Sequence, residues 1–491
     1  APATQDALRQ LTRADLTGFT LPRKYGGLNM PVLIYSMAIE TVARADASLM
    51  TIFGLQDIAD TINLFADEAT KAKYLPKFAS GNVLGAMVLT EPDAGSDLQA
   101  VRLKAAYDEA ARTWYLDGVK RFITNGCAEV LLVLARSEHD IQDGRGLSLF
   151  LCEAGPGVRV RRLEDKLGIH GSPTCELSFN HAPAQLIGKR RRGLIQYVAS
   201  LMDGARLAIA AQGIGIAQAA FGDALEYASQ REQFSVKIRD FPALREMLGN
   251  MHVKVDAARL FVYDTACVVD MAKNIARLKD SGELARFPNA DALKQSLVKW
   301  EKLASALTPM AKYYATEICN QVCYDAIQVL GGSGYMRDYN LERFYRDARI
   351  TNIYEGTSQL QIVAAIGPVL AGTMEQRYEE LHKLLLRRHA LSQALTDLAK
   401  ARKRLQEVVA HIKALNDRRY TDLNARRIVD IAIDIYLGYL FLDQSTKSIH
   451  KEVLAKKFLN DALPRVEMNA ALVLSGDRTF LDRTLDLIGY L

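Results

Sequence analysis

From Pro31 to Ala66 the chain reads PVLIYSMAIETVARADASLMTIFGLQDIADTINLFA, with apolar positions three and four apart and few breakers. That spacing gathers the apolar side chains into one stripe of a helix. Residues 1–85 therefore read as a helical N-terminal domain, with LPRKYGGLNM as a loop before the main run. The period changes near Leu84. GAMVLT, TWYLDGVKRFIT, AEVLLVLARS, GLSLFLCEAG and CELSFN are short, apolar and β-branched, and Gly, Pro and Asp punctuate them. They predict a β domain over residues 86–195. Asp117-Gly118, between WYL and VKRFI, is a hairpin signal. Helical spacing returns at about Leu194, and three more helix-length segments end near Ala365. Four long helices in succession predict an antiparallel bundle over residues 196–368. A further helical stretch rich in Leu, Ala, Lys and Arg fills residues 369–491. The expected fold is mostly α with a central β domain.

This order excludes one common architecture. Strands do not alternate with helices, so no doubly wound parallel sheet is predicted. GIGIAQ (Gly213 to Gln218) begins like a dinucleotide fingerprint but lies inside a helical run and ends in Gln. GGSG (Gly331 to Gly334) also follows a helical run. Neither supports a nicotinamide site.

A chain of 491 residues exceeds one ordinary core. Its 62 Lys and Arg nearly balance 57 Asp and Glu, for a net charge of +5, which argues against a dedicated nucleic-acid binder. The six cysteines are scattered without zinc spacing, so no metal site is expected, and they read as buried thiols of a reducing compartment. IVDIAIDIYLGYLFL (Ile428 to Leu442) is too short and too charged for a membrane span, and reads as a buried helix. The chain starts at Ala1 without Met, which is compatible with a removed targeting segment.

Two turns carry candidate chemistry. MVLTEPDAGSD (Met87 to Asp97) ends a strand in a Pro/Gly loop with hydroxyls at Thr90 and Ser96. RFITNG (Arg121 to Gly126) adds an aromatic at Phe122 and a hydroxyl at Thr124. Such loops offer N–H and O–H groups to an anion or the edge of a heterocycle. Glu355, in NIYEGTSQLQ, sits between an aromatic residue and a glycine.

Taken together, TEPDAGSD, FITNG, LGIHGSPTCELSF, REQF, QVLGGSGY and IYEGTSQLQ resemble the acyl-CoA dehydrogenase family, in that family's order and over residues from about 20 to 368. The resemblance implies an N-terminal helical domain, a middle β-barrel-like domain and a C-terminal four-helix bundle. The segment 369–491 is similar to the helical extension of the larger branches, which include very-long-chain and methylthiopropionyl-CoA-type dehydrogenases. The N-terminal domain looks truncated against the family, and Ala276 to Lys302 looks like an insertion.

The resemblance further implies FAD as cofactor and an acyl-CoA as substrate, converted to a trans-2-enoyl-CoA. Electrons would pass to an electron-transferring flavoprotein. Thr90 and Thr124 match hydroxyls at the pyrimidine edge and N5 of the flavin. Phe122 stands where the family usually has tryptophan against the isoalloxazine. Ser96 matches a phosphate-contacting residue that also meets substrate. Arg231, Phe234, Gln328 and Gly332 match the neighbouring subunit's grip on the pyrophosphate and adenine half, and Thr357 and Gln359 lie beside the pyrophosphate. A homo-oligomer follows, a dimer in preference to a tetramer. Glu355 matches the base that takes the α-proton, with its own N–H and a ribityl hydroxyl polarising the thioester oxygen. A minority branch holds its base at the position of Ala205, and alanine cannot serve. Arg206 matches a residue near the base, and Asp203 one near the pantetheine arm. Tyr354 and Gly356 flank the base on the substrate side.

Three features are read more plainly. His170 is expected to pack in its loop, and KRRRG (Lys189 to Gly193) to be solvated, with a CoA phosphate as the sharper alternative. KLLLRRHALSQALTDLAKARKRLQEVV is basic and amphipathic. Burial on its own bundle and peripheral membrane contact are its two readings. An acyl-CoA oxidase, or a non-catalytic docking member of the fold, are the competing functions. Nitroalkane oxidases carry Asp where this chain has Glu355. The expected location is the cytoplasm for a bacterial chain and the mitochondrial matrix for a eukaryotic one.

Overall fold

The computed structural model describes residues 2–388 and 391–489, and these fall into two compact units. One comprises the chain through Asp223 together with Ala326–Glu355; the other comprises Ala224–Asp325 and the chain from Gly356 onward.

The first unit opens with helices α1 (Pro2–Arg13), α2 (Val32–Ala45), α3 (Ala47–Leu55), α4 (Ile58–Phe65) and α5 (Glu68–Ala79). Asp46 caps α3 by accepting from the N–H groups of Ser48 and Leu49, and Asp67 caps α5 through Thr70. Seven strands follow: β1 (Gly85–Val88), β2 (Lys104–Asp108), β3 (Thr113–Thr124), β4 (Val130–Arg136), β5 (Leu147–Glu153), β6 (Val158–Leu163) and β7 (Thr174–Ile187). The ladder runs β1-β4-β2-β3-β7-β5, and the β4–β5 pairing closes it into a barrel.

The burial of β4 explains its unbroken apolar run. Val130, Leu132 and Leu134 face helices α4 and α5 with Ile58, Ile62 and Phe78. Leu131, Val133 and Ala135 face the barrel interior with Leu116, Phe150 and Leu177. Both faces are covered, so period-two side chains are apolar on each.

Asp117-Gly118 does not make the hairpin that its sequence signals. β3 runs through it, and the register with β7 shifts between Leu116 and Gly118. The pair is a bulge: Gly118 has φ +143°, and Asp117 accepts from the His181 N–H at 2.7 Å. The true β2–β3 turn lies at Asp108, whose carboxylate accepts from the N–H groups of Ala110 and Ala111.

Helix α6 (Ala199–Gln230), preceded by a π-helical turn over Gly193–Val198, and helix α8 (Ala290–Leu330) contribute to both units. Between them lie a two-stranded hairpin, Glu232–Gln233 with Val236–Lys237, and α7 (Pro242–Asp280). The residues of the expected insertion form the end of α7, a short 3-10 turn at Glu283–Arg286 and the start of α8. Instead of four long helices, three are followed by the short α9 (Leu341–Ala348) and α10 (Ser358–Leu370). Gly and Asn residues in the 331–340 and 352–356 turns break what would have been one run.

The second unit ends in α11 (Glu375–Leu385), α12 (Ser392–Leu415), α13 (Arg418–Ser445) and α14 (Ile449–Leu474), then two short helices, α15 (Thr479–Asp482) and α16 (Thr484–Ile488). Helix α13 is the Ile428–Leu442 segment, buried among α7, α10, α12 and α14. No helix among the described residues is long and apolar enough to cross a membrane. The basic amphipathic segment divides into α11 and α12, and His389 and Ala390 within it lie outside the described residues. The apolar stripe of α12 (Leu395, Leu398, Leu405, Val408, Ile412) is buried, with α13 and α14 packed against the helix. Leu384 and Leu386, at the end of α11 and just beyond it, are exposed.

Candidate active site

The Thr90 loop rests on a buried ion pair. Lys120, fully enclosed, reaches Glu91 at 2.9 Å and donates to the Leu89 carbonyl at 2.6 Å. Glu91 also accepts from the N–H groups of Arg102 and Leu103. Burial lowers the Lys120 ammonium to about 8 despite its partner. The next residue, Arg121, donates its N–H to the Thr90 carbonyl at 3.0 Å, so the two hydroxyl-bearing loops are stitched side by side.

A second register shift in β3, between Lys120 and Ile123, turns Phe122 outward with φ +61°. Its ring is 53% exposed, with the Arg121 guanidinium 4.6 Å away. Among the described residues the hydroxyls of Thr90, Ser96 and Thr124 hydrogen-bond to no other protein group. An outward aromatic ring flanked by free hydroxyls fits a flavin, which needs a stacking face and donors at its edge.

LGIHGSPT ties this wall to the segment carrying Glu355. Asn125 donates its N–H to the Pro173 carbonyl, and Ile169 donates its N–H to Asp347 of α9 at 2.5 Å. Arg346 donates to the Leu167 carbonyl. His170 hydrogen-bonds the Lys166 carbonyl at 2.6 Å, a contact within its own loop. KRRRG is exposed through Arg191 and Arg192, while Arg190 pairs with Glu138.

After α9 the chain makes a turn in which Tyr354 donates its N–H to Ile350. Glu355 then adopts φ +54° and Gly356 φ +89°. A left-handed glutamate costs on the order of 1 kcal/mol and persists only where its surroundings impose it. The Tyr354 hydroxyl hydrogen-bonds Gln212 of α6, and Gln212 donates in turn to the Ala47 carbonyl. The same helix carries Asp203 and Arg206, paired at 3.1 Å. The Arg206 Nε is buried with no protein partner among the described residues, a donor left for a ligand. In the second unit, the Gly356 carbonyl accepts from Lys312 at 2.7 Å and Gln361 at 3.0 Å. Thr357 caps α10 through the Leu360 N–H, and Gln359 is exposed in the first turn of that helix.

The residues assigned to a neighbouring subunit's cofactor are all presented outward. Phe234 and Ser235, both with positive φ, form a two-residue hairpin tip, and Phe234 is 90% exposed. Arg231 is exposed and makes no ion pair among the described residues. Gln328 and Gly332 are exposed at the end of α8 and just beyond it.

Sequence inspection passed over Gln212, Lys312, Lys120 and Glu91, the groups that hold the named residues. Lys120 and Lys312 had a signal: each is a lone charge at an apolar position of its element, an arrangement that requires a partner.

Residues 2–82, 86–182 and 192–367 match the N-terminal, middle and C-terminal domains of acyl-CoA dehydrogenases, and residues 371–472 match "acyl-CoA dehydrogenase C terminal". The chain belongs to the acyl-CoA dehydrogenase family. An acyl-CoA dehydrogenase of Bacillus subtilis is 36% identical over 373 residues, covering 74% of this chain and 90% of that protein. The short-chain-specific enzyme of Megasphaera elsdenii is 34% identical, with 74% and 90% covered. Among solved structures, an acyl-CoA dehydrogenase of Bacillus anthracis complexed with FAD aligns at TM-score 0.83 and 25% identity over 96% of this chain and 83% of that one. That alignment takes in the C-terminal helices, whereas butyryl-CoA dehydrogenase of M. elsdenii aligns at 0.65 over 74% and 90%. This member of the family is thus an FAD-dependent oxidoreductase with the added C-terminal domain. The thiols depart from expectation, because Cys127 and Cys267 are exposed while the other four are buried.

Proposed function

We propose that this chain oxidises the Cα–Cβ bond of an acyl-CoA thioester to a trans-2-enoyl-CoA. The observation that carries the reading is Glu355, a carboxylate held at φ +54° in IYEGTS between two anchored neighbours, Tyr354 and Gly356. An α-proton beside a thioester is weakly acidic, so removal requires a fixed base. Glu355 takes that proton, and its backbone N–H polarises the carbonyl on which charge develops. FAD, when bound against Phe122, Thr90 and Thr124, supplies the acceptor for the β-hydride. Asp203 and Arg206 position the pantetheine arm and shape the field at the base, with Ser96, Tyr354 and Gly356 lining the substrate. Arg231, Phe234, Gln328 and Gly332 serve the cofactor of a second subunit, with Thr357 and Gln359 at the pyrophosphate, in a homodimer.

Electrons leave to an electron-transferring flavoprotein. The caffeyl-CoA reductase–Etf complex subunit CarC of Acetobacterium woodii, 31% identical over 375 residues, supports that partner. Its name and that of the acryloyl-CoA reductase of Anaerotignum propionicum, 32% identical, also favour a second reading: the same residues saturating an enoyl-CoA.

Anaerobic bleaching of the flavin's visible band against a panel of acyl-CoAs tests the proposal. Bleaching by one acyl class is expected. No bleaching by any, with FAD bound, overturns it. Return of the band on adding the matching enoyl-CoA measures the reverse direction, and peroxide formed in step with turnover in air would make the chain an oxidase.

A further inference from the structure

Two of the six thiols lie together on the flavin face of the barrel. Cys127 follows FITNG directly and is exposed; Cys175, in β7, is buried. The β3–β7 ladder pairs Ile123 with Cys175 and Thr124 with Thr174. Asn125, at φ +54°, donates its N–H to Pro173 at 2.6 Å and its side-chain amide to the Gly85 carbonyl at 3.1 Å. These bonds fold the turn over the Cys175 side chain. Only glycine fits at position 126, where a Cβ would lie 2.8 Å from Cys175 Cβ and 3.3 Å from its sulfur.

Cys127 follows Gly126 in this turn, so the turn carries its thiol past the Cys175 side chain, and the two thiols interact. Interaction with Cys175 lowers the Cys127 thiol from its usual value against opposition from burial and from Glu129, and the same interaction raises that of Cys175. Lys166 is the cation near Cys175, with its ammonium on the Ser172 carbonyl. The other thiols lack this setting. Burial pushes Cys152 up to about 12 and raises Cys267, and Cys319 and Cys323 are enclosed in α8.

We propose that Cys127 and Cys175 form a peroxide-sensitive dithiol that closes to a disulfide and loosens the flavin. The Cys127 thiolate attacks one oxygen of hydrogen peroxide, cleaving the O–O bond to give a sulfenic acid and hydroxide. The Cys175 thiol then attacks the Cys127 sulfur, forming the S–S bond and releasing water as its proton joins the departing hydroxyl. Two thiols are oxidised and one peroxide is reduced to two waters. An S–S bond of ~2 Å requires the two sulfurs to meet, so closure draws the Asn125–Cys127 turn toward β7. Thr124 and Phe122 precede that turn on the same strand end, so closure displaces them. This coupling rests on the assignment of Phe122 and Thr124 to the flavin; the thiol chemistry does not.

The test treats the flavin-loaded protein with hydrogen peroxide and digests it without reductant. A peptide cross-linked through Cys127 and Cys175 is expected, with loss of two of six titratable thiols and recovery in dithiothreitol. The oxidised protein should release flavin several-fold faster than the reduced one. Cys175→Ala should stop at a Cys127 sulfenic acid that dimedone traps, and Cys127→Ser should keep its remaining thiols at the same dose. In the unsubstituted protein, Cys127 sulfinic acid beside a free Cys175, cross-linking of another pair, or no thiol loss overturns the dithiol. A Cys127–Cys175 disulfide that leaves flavin release unchanged overturns the coupling. Thiol counts need no turnover, so failure of the dehydrogenase reading would show separately.

Discussion

Lys312 donates to the carbonyl of Gly356 at 2.7 Å from a side chain with no solvent exposure. The bond fixes the peptide that follows Glu355 and opposes the local preference against two successive positive φ values. Lys312→Met keeps the stem and removes the charged donor. A loss of about 1–3 kcal/mol in stability is expected, together with a fall in kcat larger than any change in KM. Thermal unfolding and steady-state kinetics read these separately. An unchanged kcat would mean that the Gly356 anchor does not position the base.

Glu355→Gln preserves size and hydrogen bonding while abolishing basicity. Flavin and acyl-CoA binding should persist, with turnover reduced by at least about two orders of magnitude. Rapid-mixing measurement of flavin bleaching is the direct check, and a variant that bleaches at the native rate would refute the assignment.

How much of this was legible beforehand differs by level. The helix–β–helix order followed from a change of hydrophobic period, because β4 is apolar on both faces and α6 shows no strand-like alternation. Asp117-Gly118 misled because a bulge and a hairpin both require a residue with positive φ, and only pairing with β7 separates them. The break after α8 was missed because the Ser-Gly and Glu-Gly turns there are short beside the apolar runs around them. In the site, residue identities were readable from motifs, but the supports were not. Gln212 meets Tyr354 across 142 positions, and Lys312 meets Gly356 across 44, distances that no local pattern encodes.

Glu91 and Lys120 offer a test of the loop that carries Thr90. Removing one member of a buried ion pair leaves an uncompensated charge, at a cost of about 3–5 kcal/mol. Glu91→Ala should therefore lower the unfolding temperature and strip flavin together, because the Thr90 loop also hangs from the Arg102 and Leu103 N–H groups through Glu91. Glu91→Ala combined with Lys120→Met should recover part of the stability. Flavin retained at the native level in Glu91→Ala would show that the loop does not depend on the pair.

Arg231 stands exposed beside the Phe234 hairpin tip without an ion-pair partner among the described residues. If it grips the cofactor of a second subunit, Arg231→Ala should weaken flavin retention and self-association in parallel. Sedimentation and flavin content are measured on one sample. Loss of flavin from an intact oligomer would place the arginine in its own subunit's site, and a stable flavin-loaded variant would count against any role.

Asp430, on α13, gives the clearest pH dependence in the second unit. Burial raises its carboxyl to about 6, against a hydrogen bond from Tyr313 at 2.9 Å and attraction from Arg426 and Arg465, with Asp434 adding repulsion. Between its ordinary value of 3.8 and about 6 the folded chain holds this proton while the unfolded chain has released it. Its contribution is therefore complete below that interval and is lost as pH rises through it. Asp430→Asn keeps an acceptor for the Tyr313 hydroxyl and cannot ionise. The variant should unfold at a higher temperature than the parent at neutral pH, by up to about 3 kcal/mol of stability. The difference should shrink toward pH 4. Equal pH profiles for Asp430→Asn and the parent would show that Asp430 ionises normally in the fold.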